Sequence, residues 1–161
     1  KLLGVYLACT LSMETHVNYV LSLVNQRLYL VNQLRKQGLS AKAREVVFHS
    51  LVISRLLYAL PAFVGFLSGA DIARFNSVFR KSVRWGIIDR MFDFDELSIS
   101  SQDQLFKRCS SNVNHCLHQL LPELRNTCYM LRQRGHSFSL PVVSRTLFKK
   151  SFVVNYLYSH M

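Results

Sequence analysis

Between Ser12 and Gly38, apolar residues recur at three- and four-residue steps: Val17, Val20, Leu21, Val24, Leu28, Val31 and Leu34. That period lays them along one face of an α-helix. Ser12 is the expected cap, Glu14 suits the positive end, Arg35 and Lys36 suit the negative end, and Gly38 is the expected stop. Ahead of this helix, residues 1–7 read as a short strand in which Gly4 permits a close backbone approach. Behind it, Ser40 is placed to cap a second helix with the stripe Ala43, Val47, Leu51, Ser54 and Tyr58, breaking before Pro61. So short a gap makes the two helices antiparallel neighbours.

The run "PAFVGFLSGA" that follows reads as a loop. Ser68 and Asp71 have capping-box spacing, with Asp in place of Glu or Gln, and a third helix is expected to about Trp85, with Gly86 behind it. "DRMFDFDELSIS" reads as an acidic linker. Ser101 and Gln104 are expected to open a fourth helix with the stripe Leu105, Cys109, Val113, Cys116 and Leu120, ended by Pro122. Beyond it, "LRQRGHSFSLP" reads as an extended basic tail and "RTLFKKSFVVNYLY" as one more short helix. The expected fold is mainly α. It has a short N-terminal strand and connector (1–10), a helical bundle (11–88), a linker (89–101) and a helical or irregular C-terminal extension (102–161).

Charge sharpens this picture. Half of the 161 residues are hydrophobic, enough for a packed core, yet 20 Lys and Arg face only 9 Asp and Glu, a net charge of +11. Such a balance points to a polyanionic partner, either nucleic acid or an anionic membrane surface. The longest apolar stretch, residues 51–67, carries Arg55 and Pro61 and suits a buried helix better than a membrane span. The apolar start is too short for a signal peptide, and four cysteines without a CxxC pair suit reduced, mostly buried thiols.

The third helix concentrates the charge. At 100° per residue, Arg74, Arg80, Lys81 and Arg84 fall within an arc of about 120°. Ile72, Phe75, Phe79 and Val83 lie opposite. One flank packs while the other presents cations, three of them Arg, which forks onto phosphate oxygens. The same pattern also describes a solvated helix face with no partner. An interfacial membrane helix would need its apolar flank free, and these aromatics read as core.

Several segments, in order, resemble the thumb and C-terminal segment of LINE-type, non-LTR retrotransposon reverse transcriptases. "KLLGVYL" followed by "LSMETHV" resembles the primer-grip strand and the entry into the thumb. "QRLYLVNQLRKQGLS", "VFHSLVISRLLYALPAFVGFLS" and "RFNSVFRKSVRWG" resemble the first thumb helix and turn, the second helix with its aromatic loop, and the basic helix. "DQLFKRCSSNVNHCLHQLLP" and "LRQRGHSFSLP" resemble the C-terminal end of some animal elements, although an Arg expected near Asn155 or Tyr156 is absent. The resemblance implies a non-catalytic part of an RNA-directed DNA polymerase that holds an RNA/DNA or DNA/DNA template–primer duplex. Palm aspartates and their divalent metals would belong to fingers and palm preceding Lys1. It also implies contacts to phosphates and sugars rather than bases. Arg74, Arg80, Lys81 and Arg84 are the first candidates, and Arg27, Arg35, Lys36 and Lys42 the second. Lys1 and Gly4 would sit by the primer end.

Other constellations read more plainly. Asp93 and Asp95 lie downstream of the thumb-like segment and read as linker acids, not a metal site. Cys109, His115, Cys116, His118 and Cys128 lack the tight paired spacing of zinc sites, and Cys109 and Cys116, on one apolar stripe, read as buried thiols. His16 reads as a packing histidine at a helix start. Phe63, Phe66 and Trp85 could stack on nucleotides, though core packing is the simpler role. No G-x-S-x-G or P-loop occurs. The rival readings are a helical protein-interaction fragment with an acidic protein partner, and a decayed element remnant without activity.

Overall fold

The computed structural model describes residues 1–125 and 135–160. It is mainly helical, and no sheet forms among these residues. Cys128 and the start of the "LRQRGHSFSLP" tail lie outside the described residues.

Helix α1 (Glu14–Lys36) buries Val17, Val20, Leu21, Val24, Leu28 and Val31, as its period predicts, while Leu34 is largely exposed near the end. Met13 rather than Ser12 stands at the cap, and the Ser12 hydroxyl accepts from the Glu14 N–H at 3.4 Å. Gly38, at φ 92°, closes the helix. Its N–H reaches Arg35 O and the next N–H, of Leu39, reaches Leu34 O, which together satisfy two orphan carbonyls. Ser40 then caps α2 (Ala41–Phe48) by accepting from the Ala43 N–H.

The second helix departs from its expected register. After α2 the chain widens into a π-helical segment, His49–Ile53, before α3 (Ser54–Leu57). The buried residues are Phe48, Val52, Ile53 and Leu56, not the stripe Ala43, Val47, Leu51, Ser54 and Tyr58, of which Ser54 and Tyr58 are exposed. A π turn holds more residues per turn than an α turn, so it rotates the inward face. The helix breaks before Pro61, as expected. The left-handed Ala59 (φ 56°) breaks the helix, and Pro61 sits in the first turn of a new one, α4 (Leu60–Phe63). Proline is tolerated there because the N–H it lacks has no helical partner anyway. A 3₁₀ turn, Val64–Phe66, follows, so the expected loop is largely helical. The run Ala41–Phe66 has the length and apolar content of a membrane span, and a third of its most apolar 18-residue window is buried within the bundle.

Helix α5 (Gly69–Arg84) opens on the expected capping box: Asp71 N–H to Ser68 Oγ and Ser68 N–H to Asp71 Oδ2, both at 3.2 Å. The expected linker does not form as a linker. Helix α6 (Phe94–Ser111) begins at Phe94, with Asp93 as its cap, and ends before Val113. Phe92 and Phe94 are driven into the main core, where Phe94 stacks on Phe75 at 4.5 Å and Phe92 meets Phe48 and Phe79. The acids of "DFDE" alternate with wedges, and the wedges decide the structure. Past α6, Val113 and Cys116 are exposed, so the expected fourth stripe stops at Cys109.

A smaller core of Phe106, Cys109, Val153, Tyr156 and Leu157 joins α6 to α8 (Phe152–Ser159). The one-turn α7 (Thr146–Lys149) precedes it. The C-terminal extension is therefore docked through α8, and the one short helix expected over "RTLFKKSFVVNYLY" is split in two by a turn at Lys150 and Ser151. The N-terminal residues form no strand. Leu2 and Val5 pair across a tight turn in which Leu3 (φ 44°) and Gly4 (φ 85°) are both left-handed. Two successive positive φ values suit a two-residue hairpin turn and exclude an extended strand.

Candidate nucleic-acid interface

Helix α5 turns Phe75, Val78, Phe79 and Ser82 inward. Val83, expected on that face, is over one-third exposed, because the buried arc is rotated toward Val78 and Ser82. Opposite it, Arg74, Arg80 and Arg84 are exposed and Lys81 is half-buried. Arg80, Lys81 and Arg84, together with Ser77, line one shallow open cleft of about 410 Å³. Three cations converge on one concave surface, and the Ser77 hydroxyl beside them donates to Arg74 O at 2.6 Å.

The cations are not equally free. Arg74 pairs with Asp71 at 3.5 Å and donates to Asn18 Oδ1. Lys81 donates to Asn25 Oδ1 at 3.1 Å and lies 4.5 Å from the Trp85 ring centroid. The Asn25 amide is itself oriented by donating to Leu21 O at 2.8 Å, which aims its oxygen at Lys81. Asn18 and Asn25 are one heptad apart on α1, as are Arg74 and Lys81 on α5, so α1 and α5 run parallel along this seam. Sequence reasoning missed both asparagines. Their signal was present: two amides seven apart on the polar side of α1, facing two cations seven apart on α5.

The second set of candidates is split. Arg27 is half-buried and donates to Leu51 O at 2.9 Å, a carbonyl inside the π-helical segment. That hydrogen bond commits Arg27 to the bundle. Arg35 bonds Asn32 Oδ1 at 3.2 Å, and a Cβ on Gly86 would lie 3.6 Å from its guanidinium, so Arg35 borders the end of α5. Lys36 and Lys42 are exposed on either side of the α1–α2 turn. Lys42 stands in the first turn of α2 with no acid beside it, where the helix dipole disfavours a cation.

At the other end of α1, Lys1 places its ammonium 5.0 Å from the Tyr6 centroid and 5.2 Å from that of Tyr19. Arg55 stands 5.6 Å from both the Tyr19 and Tyr58 centroids and donates to the Tyr19 hydroxyl at 3.3 Å. Tyr58 donates to Leu3 O at 2.8 Å, and its ring would be met at 3.1 Å by a Cβ on Gly4. Lys1 and Gly4 are thus held together by one tyrosine cluster, one residue along α1 from Asn18. Beneath it, His16 is 2% exposed, edge-on to Phe63 at 4.7 Å, with Nδ1 accepting the Tyr6 N–H. Its Nε2 has no hydrogen-bond partner among the described residues. Burial and the neighbouring Arg55 charge hold its pKa below the usual histidine value.

Phe63 is fully packed and Phe66 is half-buried against the main core, while Trp85 is half-buried beside Lys81. Cys109 is buried, and its carbonyl meets His118 Nδ1 at 2.8 Å, whereas Cys9 and Cys116 are exposed, against the expectation of mostly buried thiols. Among the described residues, no group of three or more His, Cys, Asp or Glu is placed to hold a metal ion. No protein-family model, curated protein or solved structure matches the chain.

Proposed function

We propose that this chain holds the backbone of a nucleic-acid duplex, as a thumb-like element of a LINE-type reverse transcriptase. What carries the reading is the cleft of Arg80, Lys81, Arg84 and Ser77 on the solvent side of α5, backed by the Phe75–Phe79 contact with the core. Arg74 extends the row toward Lys1, and Arg35 borders its other end. Seven helical residues separate Arg74 from Lys81, about 10 Å along the axis, so the row meets several phosphates of one strand. Laid along a strand backbone, these cations meet phosphates, and phosphate contacts carry no sequence information, which suits a grip indifferent to sequence. Strand synthesis would belong to a palm with its own aspartates and divalent metals; this chain alone would bind without polymerising.

The test is anisotropy titration of the chain with two RNA/DNA duplexes of unrelated sequence. Both should bind alike, with Kd on the order of 10⁻⁴–10⁻⁶ M at physiological salt. Absence of binding, or a strong preference for one sequence, contradicts the proposal.

A further inference from the structure

The C-terminal extension walls off a second concavity, far in character from the basic cleft. The Val64–Phe66 turn and the α7–α8 junction are in backbone contact: a Cβ on Gly65 would stand 2.3 Å from Lys150 O, so only glycine lets the two approach. Beside that contact lies an open cup of about 690 Å³. Pro61 and Leu105 form one side, Leu117 and Leu120 a second, and Phe148 and Phe152 a third. Gln119 and Ser151 supply the polar side chains of the lining, and the Ser151 hydroxyl is spent on Phe148 O at 2.8 Å.

Positive charge stands one residue beyond the lining, next to Phe148. Pro141 belongs to the wall, and its carbonyl accepts from the Tyr158 hydroxyl at 3.0 Å. The Lys149 ammonium sits 5.1 Å from the Tyr158 ring centroid, which anchors a cation beside that wall. Arg145 and Lys150 are exposed in the same stretch. Among the described residues Lys149 has no carboxylate partner.

We propose that this cup binds a single-chain amphiphile with an anionic head, of the fatty-carboxylate class. The tail lies against Leu105 and Phe152, and the carboxylate meets Lys149. The volume falls within the range of about 300–1,000 Å³ common for small-molecule pockets. Walls from α4, α6, the 117–122 turn and the α7–α8 junction make a cup rather than the long groove that a partner helix needs. The site is separate from the α5 cleft and stands whether or not duplex binding does.

The test is calorimetric titration of the chain with dodecanoate below its micellar concentration, with dodecanol as the headless control. Dodecanoate should bind one to one and more tightly than dodecanol. Ala62→Trp, which fills the cup from an exposed position, should abolish binding with circular dichroism unchanged. Lys149→Glu should weaken dodecanoate roughly tenfold and leave dodecanol alone. No binding by the folded chain overturns the proposal, as does binding indifferent to Ala62→Trp or equal affinity for the two probes. A concentration-dependent dimer that Ala62→Trp disrupts would assign the cup to a second copy and also overturn it.

Discussion

Lys81 donates to Asn25 at 3.1 Å across the α1–α5 seam, one heptad beyond the matching contact between Arg74 and Asn18. The pair does two things. It fixes the rotation of α5 against α1, and it holds a long, flexible cation at the edge of the basic cleft, so less side-chain entropy is lost when a phosphate arrives.

Removing the amide separates these roles. Asn25→Ala should lower stability by about 0.5–1.5 kcal/mol and keep most of the duplex affinity, because Lys81 retains its charge. Lys81→Ala should lower both. A double-mutant cycle in urea unfolding should return coupling between the two positions. Strict additivity would mean that the contact contributes nothing.

His16 makes the N-terminal hairpin sensitive to acid. Its folded pKa is depressed by burial and by Arg55, so the unfolded chain binds the proton more readily. Stability should be complete above the unfolded value of about 6.5 and decline as pH falls toward the folded value. Protonation would also remove the acceptor for the Tyr6 N–H. Because the proton has to enter between Tyr6, Phe63 and Arg55, unfolding midpoints of the native chain should fall between pH 7 and 5. Those of His16→Gln, which keeps an acceptor but does not titrate, should fall less. Parallel curves would remove His16 from the account.

Gly65 should be intolerant for a reason local to the C-terminal extension. Its Cβ would strike the Lys150 backbone rather than a movable side chain. Gly65→Ala should cost about 1–3 kcal/mol and loosen α7 and α8 before the α1–α5 bundle. Limited proteolysis followed by mass spectrometry should show cleavage concentrating around residues 141–151. A pattern identical to the native chain would contradict the contact.

What was legible in the sequence follows from which forces were local. The face of α1, the capping box of α5 and the exposed cations of α5 are set by periodicity and by neighbours three or four residues away. The second helix failed in register because the π turn at His49–Ile53 is a tertiary event, with Arg27 of α1 taking up the Leu51 carbonyl. The "linker" failed because two phenylalanines among four acids found a core that composition does not display. The N-terminal strand failed because Gly4 was weighed as a point of close approach and not as half of a turn. At the candidate site, four cations on α5 were visible as a wheel, but which of them are tethered depended on Asn18 and Asn25, more than fifty residues away in sequence.

The central claim concerns the Arg80–Arg84 surface, and one measurement addresses it most directly: the salt dependence of duplex binding by the native chain and by the Arg80→Glu/Arg84→Glu variant. Each neutralised phosphate contributes about −0.9 to the slope of log K against log salt. The native chain should show a slope of about −3 or steeper. The variant should bind at least tenfold more weakly, with a slope shallower by about 2 and an unchanged helical circular dichroism spectrum. Equal slopes and affinities for the two proteins would contradict the assignment of α5 as the surface that grips the duplex.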